Sequence, residues 1–140
     1  MDVRARNIET VKTFLSLLEQ EKIQEFIDLF SENGKQTNPY GSGIFPDSIV
    51  GKDALFAFWE PVPARFDGMQ FPLKELMPLL DENKILATFT GKIKLKDGAG
   101  YYNNDYFCLF HFDTEGKIIE YTEIFNPITV VRAFGLKDQV

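Results

Sequence analysis

Glu123 is the residue of this sequence whose type and position best suit proton chemistry. It lies in the run "IIEYTEIFNP" (118–127), where aromatic and β-branched residues indicate a strand. Because side chains alternate between the two faces of a strand, Glu123 shares its face with Ile119, Tyr121 and Phe125. Burying an unpaired carboxylate is costly. Glu123 is therefore paired at an exposed rim, or it lines a cavity where burial raises its pKa and suits it to general acid–base catalysis.

Further polar candidates lie in two other segments. Asn38 and Tyr40 belong to "NPYG", where a tyrosine hydroxyl could donate a hydrogen bond to a carbonyl oxygen, although the same residues are typical of a turn. In "YYNNDYFCLFHF", Asn104 and Tyr106 share one face of the predicted strand. The apolar residues that follow Tyr106 on this face indicate that it is the inner one. Tyr121 would line the same cavity as Glu123.

Aromatic residues are unusually frequent, with 14 phenylalanines in 140 residues. Such a content suits a large core or an apolar ligand pocket. We expect the pocket wall to include Phe56, Trp59 and Phe66, together with Tyr106. For Trp59, core packing is the favoured explanation and ligand stacking is the alternative.

The elements that position these residues follow from hydrophobic periodicity. Apolar residues at helical spacing predict helices over 4–19 and 22–31, and "GKDALFAFWEPV" predicts a third helix that ends at its prolines. A short strand lies between the second helix and the third. Four strands are then predicted, over 69–80, 84–95, 101–112 and 117–125, and "PITVVRAFG" predicts a closing helix. This order indicates one α+β domain spanning 1–140, in which a cone-shaped, curved and mostly antiparallel sheet wraps around three N-terminal-side helices.

Composition excludes several functional classes. The net charge of −6 argues against nucleic-acid binding. One cysteine, Cys108, and one histidine, His111, cannot form a disulfide or a Cys/His zinc site. We expect no metal and no organic cofactor. The segment "YGSGIF" lacks the spacing and the lysine of a phosphate-binding loop. No apolar run is long enough for a membrane span and "MDVRARNIET" is unlike a signal peptide, so a cytoplasmic location is expected.

The order of elements, with "GKDALFAFWE" and "YYNNDYFCLFHFDTEGKIIEYTEIFNPITVVRAFG", resembles the nuclear transport factor 2-like superfamily and its SnoaL-like branch. That branch includes polyketide cyclases, ketosteroid-isomerase-like proteins and, most similar here, the phenazine-biosynthesis A/B proteins. The resemblance implies a cystatin-like roll with an inner cavity, commonly a homodimer, and an acid/base glutamate that falls on Glu123. A histidine of the phenazine proteins falls on Phe58, and a second polar position falls on Asp105.

Three functions remain open at this level. The first is an enzyme of isomerase, cyclase or condensing type, which moves a proton through Glu123 on a small apolar cyclic or ketone-bearing metabolite. The second is a non-catalytic ligand-binding module, and the third is a dimeric accessory subunit of a biosynthetic complex. An ordered polar network around Glu123 would favour the enzyme. Apolar residues on both faces of the predicted strands also indicate a homodimer through the outer sheet face.

Overall fold

Seven strands form one curved, unclosed sheet in the computed structural model, which describes residues 2–139. The helices are α1 (Val3–Glu19), α2 (Ile23–Ile27), α3 (Lys52–Trp59) and α4 (Pro127–Phe134), with short 3₁₀ turns at Pro63–Arg65, Lys96–Gly98 and Lys137–Gln139. The strands are β1 (Phe30–Thr37), β2 (Ser48–Val50), β3 (Met69–Gln70), β4 (Leu73–Pro78), β5 (Lys84–Lys94), β6 (Tyr101–Phe112) and β7 (Ile118–Phe125). The predicted α+β class is confirmed.

The sheet order is β2–β1–β7–β6–β5–β3, and β4 also pairs with β5. The long strands β5, β6 and β7 form antiparallel pairs, in which Ala87 lies opposite Cys108 and Cys108 lies opposite Glu123. Between β1 and β7 the pairing is parallel. The prediction of a mostly antiparallel sheet is therefore correct, and Glu123 lies on a strand that has neighbours on both sides.

Helix α1 supplies the largest apolar face of the helical layer. It begins after Asp2, whose side chain accepts a hydrogen bond from the amide of Ala5 at 2.7 Å and so caps the first turn. Its buried face includes Phe14, whose ring lies 4.5 Å from that of Phe26 and 4.7 Å from that of Tyr121, measured between centroids. The core thus joins the helices to the inner face of the sheet behind Glu123.

Two predicted boundaries are wrong for identifiable reasons. The second helix ends at Ile27 and not near residue 31, because Phe30 pairs with Ile118 and starts β1. The predicted strand 69–80 is divided into β3 and β4 around Pro72, which has no N–H to donate to the ladder. The remaining strands lie close to their predicted positions.

A bulge in β7 changes which residues share a face. Ile118 pairs with Phe112 and Glu120 with His111, so Ile119 is an extra residue on β7. Ile118 and Tyr121 are consequently both buried, whereas strict alternation places Ile118 on the face of Glu120. Beyond the bulge the alternation holds, and Tyr121, Glu123 and Phe125 face the interior as predicted.

Within residues 2–139, no helix combines the length and hydropathy needed to cross a membrane.

Candidate functional site

A cavity of about 530 Å³ lies between the helices and the inner face of the sheet. Its volume falls within the range of roughly 300–1,000 Å³ that is usual for small-molecule sites. Most of its wall is aromatic or aliphatic. The polar side chains that line it are Gln36, Asn38, Arg65, Tyr102, Tyr106, Tyr121 and Glu123, with the indole of Trp59.

Glu123 lies two residues before the end of β7 and lines this cavity. Its side chain is partly buried and contributes to the cavity wall. Burial raises the pKa of Glu123 to about 7, while a hydrogen bond from the hydroxyl of Tyr121, 2.8 Å from Oε2, acts in the opposite direction. A carboxyl group with this pKa is present in both protonation states near neutral pH, as an acid–base catalyst requires.

Tyr121 and Cys108 form the support behind Glu123. Since the Tyr121 hydroxyl donates its proton to Glu123, its oxygen is left to accept from the Cys108 thiol, whose Sγ is 3.4 Å away. Burial raises the pKa of Tyr121 and the pKa of Cys108 well above their ordinary values, so both groups keep their protons. Cys108 is fully buried and acts as a neutral hydrogen-bonding filler.

A second polar group is built on the inner face of β6. The amide Nδ2 of Asn104 donates to the Tyr102 hydroxyl at 2.7 Å and to the carbonyl of Asn126 at 3.0 Å. The hydroxyl oxygens of Tyr102 and Tyr106 are 3.4 Å apart, longer than a strong O–H···O hydrogen bond. Burial raises the pKa of Tyr106 well above its ordinary value, and Tyr102 and Glu123 act in the same direction. Tyr106 is therefore a donor that keeps its proton.

A third polar chain joins α3 to β1, the strand that pairs with β7. The indole N–H of Trp59 donates to Gln36 at 2.8 Å, Gln36 donates to Asn38 at 3.0 Å, and Asn38 donates to the carbonyl of Pro46 at 2.8 Å. All three side chains are buried. This chain fixes the start of the loop between β1 and β2, which contributes Ile44 and Phe45 to the cavity wall.

Residues 11–121 match the SnoaL-like domain family, which is more than half of the chain. The chain belongs to the SnoaL-like domain family. The family predicted from the motifs is thus confirmed. Glu123 lies just beyond the matched residues, on the same strand as Tyr121.

This SnoaL-like domain is similar to an uncharacterised Bacillus subtilis protein, YesE, with 24% identity over 127 residues, or 91% of this chain and 86% of the relative. A crystal structure of a Bacillus subtilis protein suggested to be an isomerase has a TM-score of 0.85 and 23% identity, covering 96% of both chains. The phenazine biosynthesis-related protein phzb2 of Pseudomonas aeruginosa has a TM-score of 0.82 and 25% identity, covering 96% of this chain and 83% of that one.

The SnoaL-like domain brings most of the predicted site residues to one cavity. Glu123, Asn38, Trp59, Phe66, Tyr106 and Tyr121 all line it. Trp59 lines the cavity and also belongs to the buried core. Phe58, at the position of the phenazine proteins' histidine, lies in the cavity wall as an apolar residue.

Three predicted ligand-binding residues lie elsewhere. Tyr40 is 54% exposed in the loop after β1, because the turn chemistry of "NPYG" carries its side chain away from the cavity. Phe56 packs against the core from outside the lining, since a helix turns its side chain about 200° from that of Phe58. Asn104 is buried but faces Tyr102 and the backbone, so its position is behind the cavity wall.

Two polar residues of β6 face outward. Asp105 lies on the outer face and forms an ion pair with Lys74 at 3.0 Å. It therefore cannot supply the second polar position that the resemblance suggested. His111 also lies on the outer face, opposite Glu120 on β7.

Sequence reasoning missed Tyr102, Gln36 and Arg65. Tyr102 could have been found, because it lies four residues before Tyr106 and so shares its face. Gln36 is two residues before Asn38 and follows the same rule. Arg65 follows Pro63 in a 3₁₀ turn, a segment without a periodic pattern, and no signal in the sequence directs it to the cavity.

Among residues 2–139, no group of three or more His, Cys, Asp and Glu side chains is placed to hold a metal ion.

Proposed function

We propose that this SnoaL-like domain is an acid–base enzyme that moves a proton on an apolar, carbonyl-bearing small molecule. One observation carries the proposal: an apolar cavity of about 530 Å³ holds Glu123, whose pKa is raised by burial to about 7 and whose Oε2 is held by Tyr121. This is the ordered polar network that favours an enzyme over a carboxylate paired at a rim.

Glu123 would act through Oε1, the oxygen to which Tyr121 does not donate. In its ionised form it takes a proton from the carbon next to the substrate carbonyl. The C–H bond breaks, its electron pair forms the enol double bond, and the carbonyl π electrons move to oxygen. Protonated Glu123 then returns the proton to the same carbon or to a conjugated one. Exchange, isomerisation and cyclisation all share this first step.

Tyr106 would stabilise the negative charge that develops on the carbonyl oxygen. The hydroxyl oxygens of Tyr102 and Tyr106 are 3.4 Å apart and either can be the donor, so the Tyr106 proton can turn from this long contact to a ligand carbonyl. A donor held in a water-poor site costs little reorganisation when charge develops. Tyrosines and a carboxyl group together perform such chemistry in ketosteroid isomerase.

The comparisons support this proposal without naming a substrate. One similar structure is suggested to be that of an isomerase, and another is related to phenazine biosynthesis. Phe58 stands at the phenazine proteins' histidine position, so the chemistry proposed here depends on Glu123 and tyrosines alone.

Hydrogen–deuterium exchange into ketones tests the proposal without knowledge of the natural substrate. The protein would be incubated in D₂O with 2-acetylnaphthalene and 2-tetralone, and deuterium next to the carbonyl would be followed by NMR. We expect protein-dependent exchange that falls by roughly 10²–10⁴-fold in Glu123→Gln. Glu120→Gln is the matched control, because Glu120 lies on the outer face of the same strand and bonds Thr37.

Binding of both ketones with no protein-dependent exchange would contradict the enzyme and favour the ligand-binding module. Equal exchange by the parent and Glu123→Gln would remove Glu123 from the mechanism.

A further inference from the structure

Arg65 is the one cationic side chain that lines the cavity among residues 2–139. It ends the 3₁₀ turn Pro63–Arg65 and is exposed. A side chain that is exposed and also lines the cavity lies at the cavity's opening. A guanidinium stays charged at any pH of interest and presents several N–H donors in a fixed plane.

The backbone of Arg65 is held firmly at this opening. Its amide donates to the carbonyl of Val62 at 3.0 Å, and the amide of Asp67 donates to the carbonyl of Lys94 at 2.8 Å, which ties the turn to β5. Proline at residue 63 fixes the start of the turn. The position from which the guanidinium reaches into the cavity is therefore set before any ligand binds.

The Arg65 guanidinium makes no contact that stabilises the fold within residues 2–139. No hydrogen bond or ion pair within that range joins it to another side chain, while the nearby carboxylate of Asp67 is paired with Lys94 at 3.9 Å. Arg4, by contrast, donates to the carbonyls of Leu79 and Leu80. Arg65 thus presents an unshared charge and unshared donors to the cavity opening.

Arg65 and Glu123 lie towards opposite ends of the cavity. Phe66, next to Arg65, lies 6.2 Å from Phe134, which in turn lies 5.2 Å from Tyr102, measured between ring centroids. Tyr102 therefore marks the Arg65 end of β6. Glu123 pairs with Cys108, and the step from Tyr102 to Cys108 spans about 20 Å of extended strand.

We propose that the ligand of this cavity carries a carboxylate, which Arg65 binds while the carbonyl end reaches Tyr106 and Glu123. This inference rests on the proposed function and adds a substrate class to it. One guanidinium matches one carboxylate in a planar, two-point contact. A phosphate dianion fits less well, because the chain has a net charge of −6 and no second cation lines the cavity among residues 2–139.

The test compares two probes that differ only in the carboxylate, 6-acetyl-2-naphthoic acid and 2-acetylnaphthalene. Their dissociation constants would be measured by calorimetry for the parent, for Arg65→Gln and for Arg132→Gln. Arg132 is the matched control, because it is exposed on α4 and does not line the cavity. We expect Arg65→Gln to weaken binding of the acid about tenfold and to leave the neutral ketone unchanged. The acid's affinity for the parent should also fall with added salt.

The proposal would be overturned by equal weakening of both probes by Arg65→Gln, by no effect of Arg65→Gln on the acid, or by equal weakening of the acid by Arg132→Gln. Tight binding of the ketone alone would also overturn it, and would leave the acid–base function standing. Failure of both probes to bind the parent would overturn both proposals. Unchanged ketone affinity in Arg65→Gln shows that the variant is folded.

Discussion

Two features of its surroundings shift the pKa of Glu123 in opposite directions. Desolvation in the apolar cavity favours the neutral acid, whereas the Tyr121 hydroxyl donates to the ionised form. Desolvation is the larger effect, and the pKa of the group is about 7 in place of the 4.5 of an ordinary glutamate. A free-energy cost to the folded protein follows from the same shift.

That cost predicts how stability changes with pH. The folded state holds the Glu123 proton more tightly than the unfolded state, so this contribution to stability is complete below about pH 4.5 and is lost as pH rises to about 7. Glu123→Gln cannot ionise. Relative to the parent, we expect the variant to gain stability through this window, by roughly 3 kcal/mol at neutral pH. Urea unfolding at several pH values measures the difference, and a constant difference would contradict the expectation.

Tyr121 can be tested separately as the residue that positions Glu123. Tyr121→Phe keeps the ring in the core and removes the hydroxyl that donates to the carboxylate. We expect the pKa of Glu123 to rise further, and any proton exchange to reach its midpoint at a higher pH. Carboxyl ¹³C NMR checks this shift. Cys108→Ala is the control, because it removes the other partner of Tyr121 and leaves the bond to Glu123. An unchanged or lowered Glu123 pKa in Tyr121→Phe would show that the hydrogen bond does not act as described.

At the scale of elements, β5 and β6 together hold the Tyr106 donor in place. The Tyr106 ring stacks on Phe89, with centroids 5.2 Å apart and planes at 10°. Gly91 leaves room beside it, because a Cβ on Gly91 would lie 2.7 Å from ring atom Cε2 of Tyr106. Because residue 91 is a glycine, the Tyr106 ring can lie flat against β5 in the cavity wall.

Gly91→Ala should displace the Tyr106 ring. We expect a loss of stability of roughly 1–3 kcal/mol from overpacking, and a fall in ketone exchange similar to that of Tyr106→Phe. The latter variant removes the hydroxyl without crowding and separates the two effects. Thermal unfolding and the deuterium-exchange assay measure both. Full exchange activity in Gly91→Ala would mean that Tyr106 is not held by this contact.

The elements also show how far sequence reasoning reaches. Alternation along β6 and β7 places Tyr106 and Glu123 on the inner face, because both strands are regular there. The alternation fails at Ile119, where a β-bulge adds one residue to β7. No local sequence pattern predicts that bulge. Helical periodicity locates α3 but does not show which of its aromatic residues faces the cavity, and the wall contains Phe58 where the sequence predicts Phe56. The prediction that Tyr40 lines the cavity is wrong, because the turn formed by its neighbours directs its side chain to the solvent.

At the scale of the molecule, the order of helices and strands was sufficient to predict an α+β cone with a cavity. Arg65 could not be predicted as part of that cavity, because its place depends on how a 3₁₀ turn is tied to Lys94 on β5. Contacts of this kind are distant in sequence and carry no periodic signal. The fold can thus be predicted from the hydrophobic pattern of the sequence, whereas the set of residues that line the cavity depends on tertiary contacts.

The outer face of the sheet supports the proposal of a homodimer. Phe107 is 51% exposed there, and it lies opposite Ile124 on β7 and Thr88 on β5. Leu109 and Leu86 continue the apolar surface, which two ion pairs flank, Lys74–Asp105 and Lys35–Glu120. An apolar centre with a charged rim is the usual pattern of a subunit interface.

We expect the parent to sediment as a dimer at micromolar concentration and Phe107→Glu to sediment as a monomer, because the variant places a charge at the centre of this face. Tyr40→Glu is the control, since Tyr40 is equally exposed but lies in the loop between β1 and β2. A monomeric parent, or a dimer that persists in Phe107→Glu, would contradict an interface on this surface.

The titration of Glu123 by carboxyl ¹³C NMR tests the central claim most directly, because it needs no substrate. The signal is assigned by its loss in Glu123→Gln. If Glu123 is a cavity carboxyl poised for proton transfer, its midpoint lies at about pH 7. A midpoint near 4.5, the value of an ordinary glutamate, would contradict the account.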